Sequence, residues 1–203
     1  MLRMLGMFPK VQEELIKEID ESIDSIEKIK FEDITEKLPK LTAFMKEAMR
    51  IKTPVGGIAR IVTKKGGETI NGLHIPQGTT LNISVFAHHF LSHNSPGDEP
   101  NLQRFFDPSP IDTTEEKLDR GTMGNLQFDF AKDELIPFSL GPRDCIGKRM
   151  AMLEMKLILT FILKQYRLVV PPHLKESQSK IKETYIITRT GMESFILNFE
   201  KRN

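Results

Sequence analysis

The stretch Phe138-Ser139-Leu140-Gly141-Pro142-Arg143-Asp144-Cys145-Ile146-Gly147 holds the chain's sole cysteine and constrains it more than any other. It sets Phe138, Gly141, Arg143, Cys145 and Gly147 in the pattern F-x-x-G-x-R-x-C-x-G, just before a long helical run. A chain of this composition would match all five positions by accident with odds below about one in ten thousand. A lone cysteine excludes an internal disulfide framework and a multi-cysteine zinc site, and fits a reducing compartment. Three features would favour its thiolate. The start of the following helix offers free amides and a positive dipole end. Arg143, Lys148 and Arg149 add positive potential. Glycines 141 and 147 let the backbone approach the sulfur.

The 203 residues suit one domain or part of a larger one. With 29 basic against 28 acidic side chains there is no global field for nucleic acid. A hydrophobic share of 39% supports a core. The longest apolar stretch, Ala151–Leu163, is broken by Glu154 and Lys156, so nothing here spans a bilayer. Too few apolar residues precede Pro9 for a signal peptide. Taken alone, the chain reads as soluble.

Along the chain, Met1–Met7 reads as the end of an element, with Gly6 as a helix stop. Pro9 opens a helix on which Val11, Leu15, Ile16, Ile19, Ile23 and Ile26 recur at helical spacing. A second runs from near Pro39 to about Ile51 and carries Glu47 and Arg50 on one face. On spacing alone that is an ordinary surface pair. The turn signals Lys65-Gly66-Gly67, Asn71-Gly72 and Pro76-Gln77-Gly78 predict a hairpin region. Leu81–Phe86 alternates like a half-buried strand, and His88–Asp133 reads as irregular. The helix after Cys145 offers Met150, Leu153, Leu157, Ile158 and Phe161 as its apolar side. The tail holds short strand-like runs at Tyr166–Val170, Tyr185–Thr188 and Phe195–Phe199. The expected architecture is mainly helical with small antiparallel sheets and no dividing linker.

The Cys145 loop resembles the haem-binding loop of the cytochrome P-450 family, the haem-thiolate monooxygenases. Ala151 and Glu154, six and nine residues beyond the cysteine, match the family's continuation. Glu47 and Arg50 match the E-x-x-R of its K helix, a buried pair that organises the proximal haem side. Pro9 to Leu15 is similar to the start of its J helix, Ile75–Thr79 to a strand-turn motif, and Phe106-Asp107-Pro108 to the F-x-P of its meander. The resemblance implies a partial cytochrome P-450 domain over 1–203: J helix, K helix, meander, haem-ligand loop, L helix and C-terminal sheets. It implies haem b, with Cys145 as axial ligand of the iron. Phe138, Gly141, Ile146 and Gly147 would shape the loop, and Arg143, Arg60 and His89 would hold propionates. Glu47, Arg50, Ala151 and Glu154 would be structural supports. Val55, Gly56, Gly57, Ile58 and Thr190 would line the substrate side. The implied reaction inserts one atom of O2 into a small, lipophilic organic substrate, with electrons from an NADPH-dependent reductase. Eukaryotic-type members are anchored in the endoplasmic reticulum, and the resemblance implies that location for a full-length protein, through an anchor expected outside this chain.

Two departures stand against the pattern. Pro110-Ile111 occupies the place of the meander's Arg-Phe, so Glu47 and Arg50 need another partner, Arg104 or Arg120. The family's distal helix, whose acid-alcohol pair delivers protons, is expected before Met1. Gly67-Glu68-Thr69 and Asp112-Thr113-Thr114 imitate that pair but follow the K-helix motif and are expected off helices. A non-catalytic remnant, or a haem-binding module without oxygen activation, is therefore the alternative. Other readings compete poorly. Gly141 to Lys148 has one residue too many for a phosphate loop, and Arg149 stands where Ser or Thr is needed. His89 and His93 are four apart, but the second falls among loop residues. A Cys–His nucleophile pair has no signature.

Overall fold

The computed structural model describes residues 1–92, 100–106, 134–179, 183–185, 189–191 and 195–202. Two proline-led helices supply much of the core. α1 (Leu2–Met7) runs into α2 (Pro9–Ser22), and α3 (Phe31–Glu36) precedes α4 (Pro39–Ile51). Proline suits the first helical position because its missing N–H has no partner there in any case. The Lys40 and Leu41 amides that remain unpaired at the start of α4 are taken by Glu18 of α2, at 2.7 and 2.9 Å.

Four short strands follow, β1 (Gly57–Ile61), β2 (Glu68–Ile70), β3 (Leu73–Ile75) and β4 (Thr80–Ser84). β2 and β3 form the expected hairpin across Asn71-Gly72, both at positive φ, as a tight two-residue turn demands. β1 pairs antiparallel with β4, from Gly57 opposite Ser84 to Ile61 opposite Thr80. The tail adds α6 (Lys148–Gln165), β5 (Tyr166–Val169), α7 (Lys175–Ser179), β6 (Glu183–Tyr185), β7 (Arg189–Gly191) and β8 (Asn198–Lys201). The helix at Val85–Ser92 is α5. β5 pairs with β8 and β6 with β7, both antiparallel. The chain is mainly helical with small antiparallel sheets, as expected.

The core joins α1, α2, α4 and α6 to β5, around Leu5, Leu15, Ile19, Phe44, Met45, Met152 and Leu168. Buried Gln12 locks the two ends of the chain together. Its side chain donates to the carbonyls of Leu5 (3.2 Å) and Leu168 (2.9 Å) and accepts the Leu168 N–H (2.7 Å). Every polar atom of the amide is thus used, which is the condition for burying it.

Several expectations need correcting. Gly6 does not stop a helix; it lies within α1, where a Cβ would come 2.4 Å from Leu197 Cδ2. The strand over 81–86 ends at Ser84, whose Oγ accepts the Ala87 N–H at 3.2 Å and caps α5. Residues 88–92 are therefore helical, and Leu102–Arg104 forms a 3-10 turn. Ile26 lies beyond α2, in a 3-10 turn of its own. The buried face of α6 is Met152, Lys156, Leu159, Thr160 and Leu163, while Met150 and Ile158 are exposed. That helix is apolar on several sides, and its inward side carries two polar residues, one satisfied within the helix and the other by a tertiary partner. Thr160 Oγ1 donates to the Lys156 carbonyl (2.8 Å) and Lys156 Nζ to the Lys37 carbonyl (2.7 Å).

Candidate cofactor site at Cys145

Leu135, Ile136 and Pro137 are buried and anchor the chain ahead of the cysteine loop. Two turns then fold it: Ser139 N–H donates to Ile136 C=O (3.1 Å) and Asp144 N–H to Gly141 C=O (3.0 Å). Gly141 has φ +81°, a conformation costly for any residue with a Cβ. The loop closes where Cys145 N–H donates to Phe138 C=O at 2.9 Å. It leaves into α6 through Lys148 N–H on Cys145 C=O (3.2 Å) and Ala151 N–H on Gly147 C=O (2.9 Å). Cys145 is exposed and precedes the helix cap Gly147, where a Cβ would sit 4.0 Å from the sulfur. Ile146 projects fully into solvent.

Beside this loop lies an apolar cavity of about 470 Å³, lined by Ala48, Met49, Pro54, Phe138, Ala151, Met155 and Ile158 among others. Phe138 and Ala151, singled out from sequence, therefore share one wall, and the Phe138 carbonyl ties that wall to Cys145. A single thiol on a hydrogen-bonded loop, next to an apolar slot with few polar groups, fits an axially ligated haem. Haem needs an axial donor, which a cysteine thiolate can supply, and a wide dry wall. Met155 and Ile158 follow Ala151 at i+4 and i+7, a spacing that could have revealed the wall. Met1 and Leu2, which also line it, had no such signal.

The Glu47–Arg50 pair flanks the α4 residues Ala48 and Met49 that line the cavity. Both are buried, at 0% and 3% exposure, with Arg50 Nε and Nη2 donating to the two carboxylate oxygens at 2.8 and 2.9 Å. Glu47 also accepts the Asn101 N–H at 3.3 Å, and Arg104 Nε approaches it to 3.4 Å. Arg104, one of the two residues expected as a substitute, is thus within ion-pair reach of Glu47. Pro110, Arg120, His93, Thr188, Asp112–Thr114 and most of the F-x-P stretch lie outside the described residues. Glu68 and Thr69 lie in β2, not on a helix.

The remaining residues are more dispersed. Arg60 Nη2 donates to Ser139 Oγ (2.8 Å) and Nη1 to the Ala59 carbonyl (2.9 Å), so β1 grips the loop. His89 is wholly buried, and its Nε2 accepts the Ile136 N–H at 2.8 Å. Pro54 lines the cavity, and Val55 to Ile58 carry the chain from it into β1. The backbone of Thr190 lies in β7 opposite Thr184. Arg143, Arg149 and Glu154 are exposed. Lys148 pairs with Asp144, so part of the positive potential expected around Cys145 is neutralised within the loop.

Comparison with known proteins gives the same family. The sequence model of the family Cytochrome P450 matches residues 1–194. The putative cytochrome P450 CYP13A7 of Caenorhabditis elegans is 34% identical over 174 residues, covering 83% of this chain and 29% of that protein. Cytochrome P450 4F2 of Homo sapiens is 35% identical over 173 residues, with the same coverage of each. The putative cytochrome P450 CYP13A6 of Caenorhabditis elegans is 30% identical over 200 residues, 98% of this chain and 35% of its own length. The chain thus spans about a third of the length of these relatives. A family match across nearly the whole chain, joined to a cysteine loop built against an apolar wall, means that the chain belongs to the cytochrome P450 family.

Proposed function

We propose that this chain is the haem-ligating part of a monooxygenase that inserts one atom of O2 into a lipophilic organic substrate. Electrons come from an NADPH-dependent reductase. The observation that carries the reading is the 2.9 Å bond from Cys145 N–H to the carbonyl of Phe138, which ties the backbone of the sole cysteine to a residue of the apolar cavity wall. Cys145 would bind the iron of haem b, and Phe138 and Ala151 would lie along its face. Arg143, exposed beside the cysteine, presents a fork suited to a propionate carboxylate. A thiolate-bound haem supplies oxygen activation, because the thiolate pushes electron density that favours O–O cleavage.

The other residues keep that ligand in place. Phe138, half-buried on the cavity wall, adds apolar surface beside the ligand loop. Glu47, Arg50 and Arg104 fix the C-terminal half of α4, which forms one cavity wall through Ala48 and Met49. The endoplasmic reticulum membrane is the proposed location of the full-length protein. No helix of the described residues is long and apolar enough to cross a membrane.

Haem ligation has a direct test. The haem-loaded chain, reduced under carbon monoxide, is expected to show the strongly red-shifted Soret band of a thiolate complex, and Cys145→Ala to abolish it. A Cys145→Ala protein that keeps the band would remove the assignment.

A further inference from the structure

Two adjacent histidines of α5 hold the chain just ahead of the cysteine loop, and they use the same ring atom in opposite senses. His89 Nε2 lies 2.8 Å from the Ile136 backbone nitrogen, which can only donate. His89 is therefore the tautomer with its hydrogen on Nδ1. His88 Nε2 lies 3.1 Å from the Glu134 carbonyl, which can only accept, so there Nε2 carries the hydrogen. Between these ties the chain bends at Glu134, at φ +53°, and it bends again at Ser139, at φ +63°. Non-glycine residues adopt that region at a cost and keep it only when neighbours hold them.

The held segment leads straight to the ligand. Ile136 C=O takes the Ser139 N–H, and Phe138 C=O takes the Cys145 N–H. Arg60 holds Ser139 from the other side. We propose that His89 is a positioning residue for Cys145: it sets the carbonyl of Phe138, and through it the sulfur, by holding the Ile136 amide. This role rests on Cys145 being the haem ligand. It acts through Ile136 and differs from the propionate contact that the family resemblance implies.

Hydrogen exchange on the full chain tests the clamp without haem. In His89→Leu, peptides covering 134–145 are expected to exchange about tenfold faster, with α4 unchanged, because a buried donor has lost its acceptor. In His89→Gln, whose amide oxygen can stand where Nε2 stands, exchange is expected within about twofold of the parent. After haem loading, the leucine variant is expected to show part of its carbon monoxide band at the shorter wavelength of a thiolate-free complex, and the glutamine variant to restore it. Parental exchange in the leucine variant, or equal exchange in both, overturns the proposal. If the leucine variant unfolds, the ring of His89 in the parent chain decides by long-range proton–nitrogen NMR. A hydrogen on Nδ1 supports the clamp, and one on Nε2 overturns it. Absence of the red-shifted band in the parent chain, with the exchange pattern intact, refutes haem ligation and leaves the clamp standing.

Discussion

Replacing Arg50 with methionine is expected to destabilise the fold by about 3–5 kcal/mol, since it leaves a carboxylate buried without its main partner. Glu47 is wholly buried and takes two guanidinium bonds of Arg50, so little water is available to compensate it. The Asn101 amide at 3.3 Å and the more exposed Arg104 at 3.4 Å remain, but both are longer contacts. Arg104 keeps 22% of its side chain in solvent, and Arg104→Met is accordingly expected to cost only about 1 kcal/mol, part of it lost in high salt. Removing both charges, with Glu47→Gln and Arg50→Met together, is expected to cost well below the sum of the single changes, because no lone buried charge is left. The chain has no tryptophan, so urea unfolding is best followed by far-ultraviolet circular dichroism. A loss below about 1 kcal/mol for Arg50→Met, or strict additivity in the double variant, would refute the view that Glu47 depends on Arg50.

Two further outcomes follow from buried groups elsewhere. Burial lowers the pKa of Lys156 to about 7, against the opposing attraction of Glu18. Between that value and the ordinary lysine range the unfolded chain binds the extra proton, so stability rises with pH by up to about 1.4 kcal/mol per unit. Lys156→Met is expected to flatten that rise, as read from urea midpoints between about pH 7 and pH 10; an unchanged slope would show that Lys156 is not its source. Gly67 has φ +89°, and a Cβ there would stand 2.4 Å from the Ile75 carbonyl oxygen. Gly67→Ala is therefore expected to cost about 1–3 kcal/mol and to speed hydrogen exchange across the β2–β3 hairpin; exchange at the parental rate would contradict it.

Elements written in short-range signals were legible. Pro9 and Pro39 begin helices where the sequence places them, and Asn71-Gly72 makes the hairpin turn. Glu47 and Arg50 pair because three residues along a helix brings them to one side. The partial cytochrome P450 fold was also legible, from ordered motifs around one cysteine. Other features misled. Leu81–Phe86 alternates like one strand, but Ser84 is both its last residue and the cap of the next helix. Reading α6 by its apolar residues misplaced its inner face, because Lys156 and Thr160 are buried there.

The sequence by itself determined the kind of site: one thiol, its turns, its glycines and the helix that follows. Those features depend on backbone rules within about ten residues, which hold wherever the segment sits. Tertiary structure alone decided what surrounds the site. Glu47 meets Asn101 across 54 positions, Lys156 reaches Lys37 across 119, and Gln12 binds Leu168 across 156. Which of several residues takes such a contact depends on how helices and strands pack. That is why Arg104 lies beside Glu47, why His89 faces Ile136, and why the cavity wall that Phe138 shares is drawn from four separate parts of the chain.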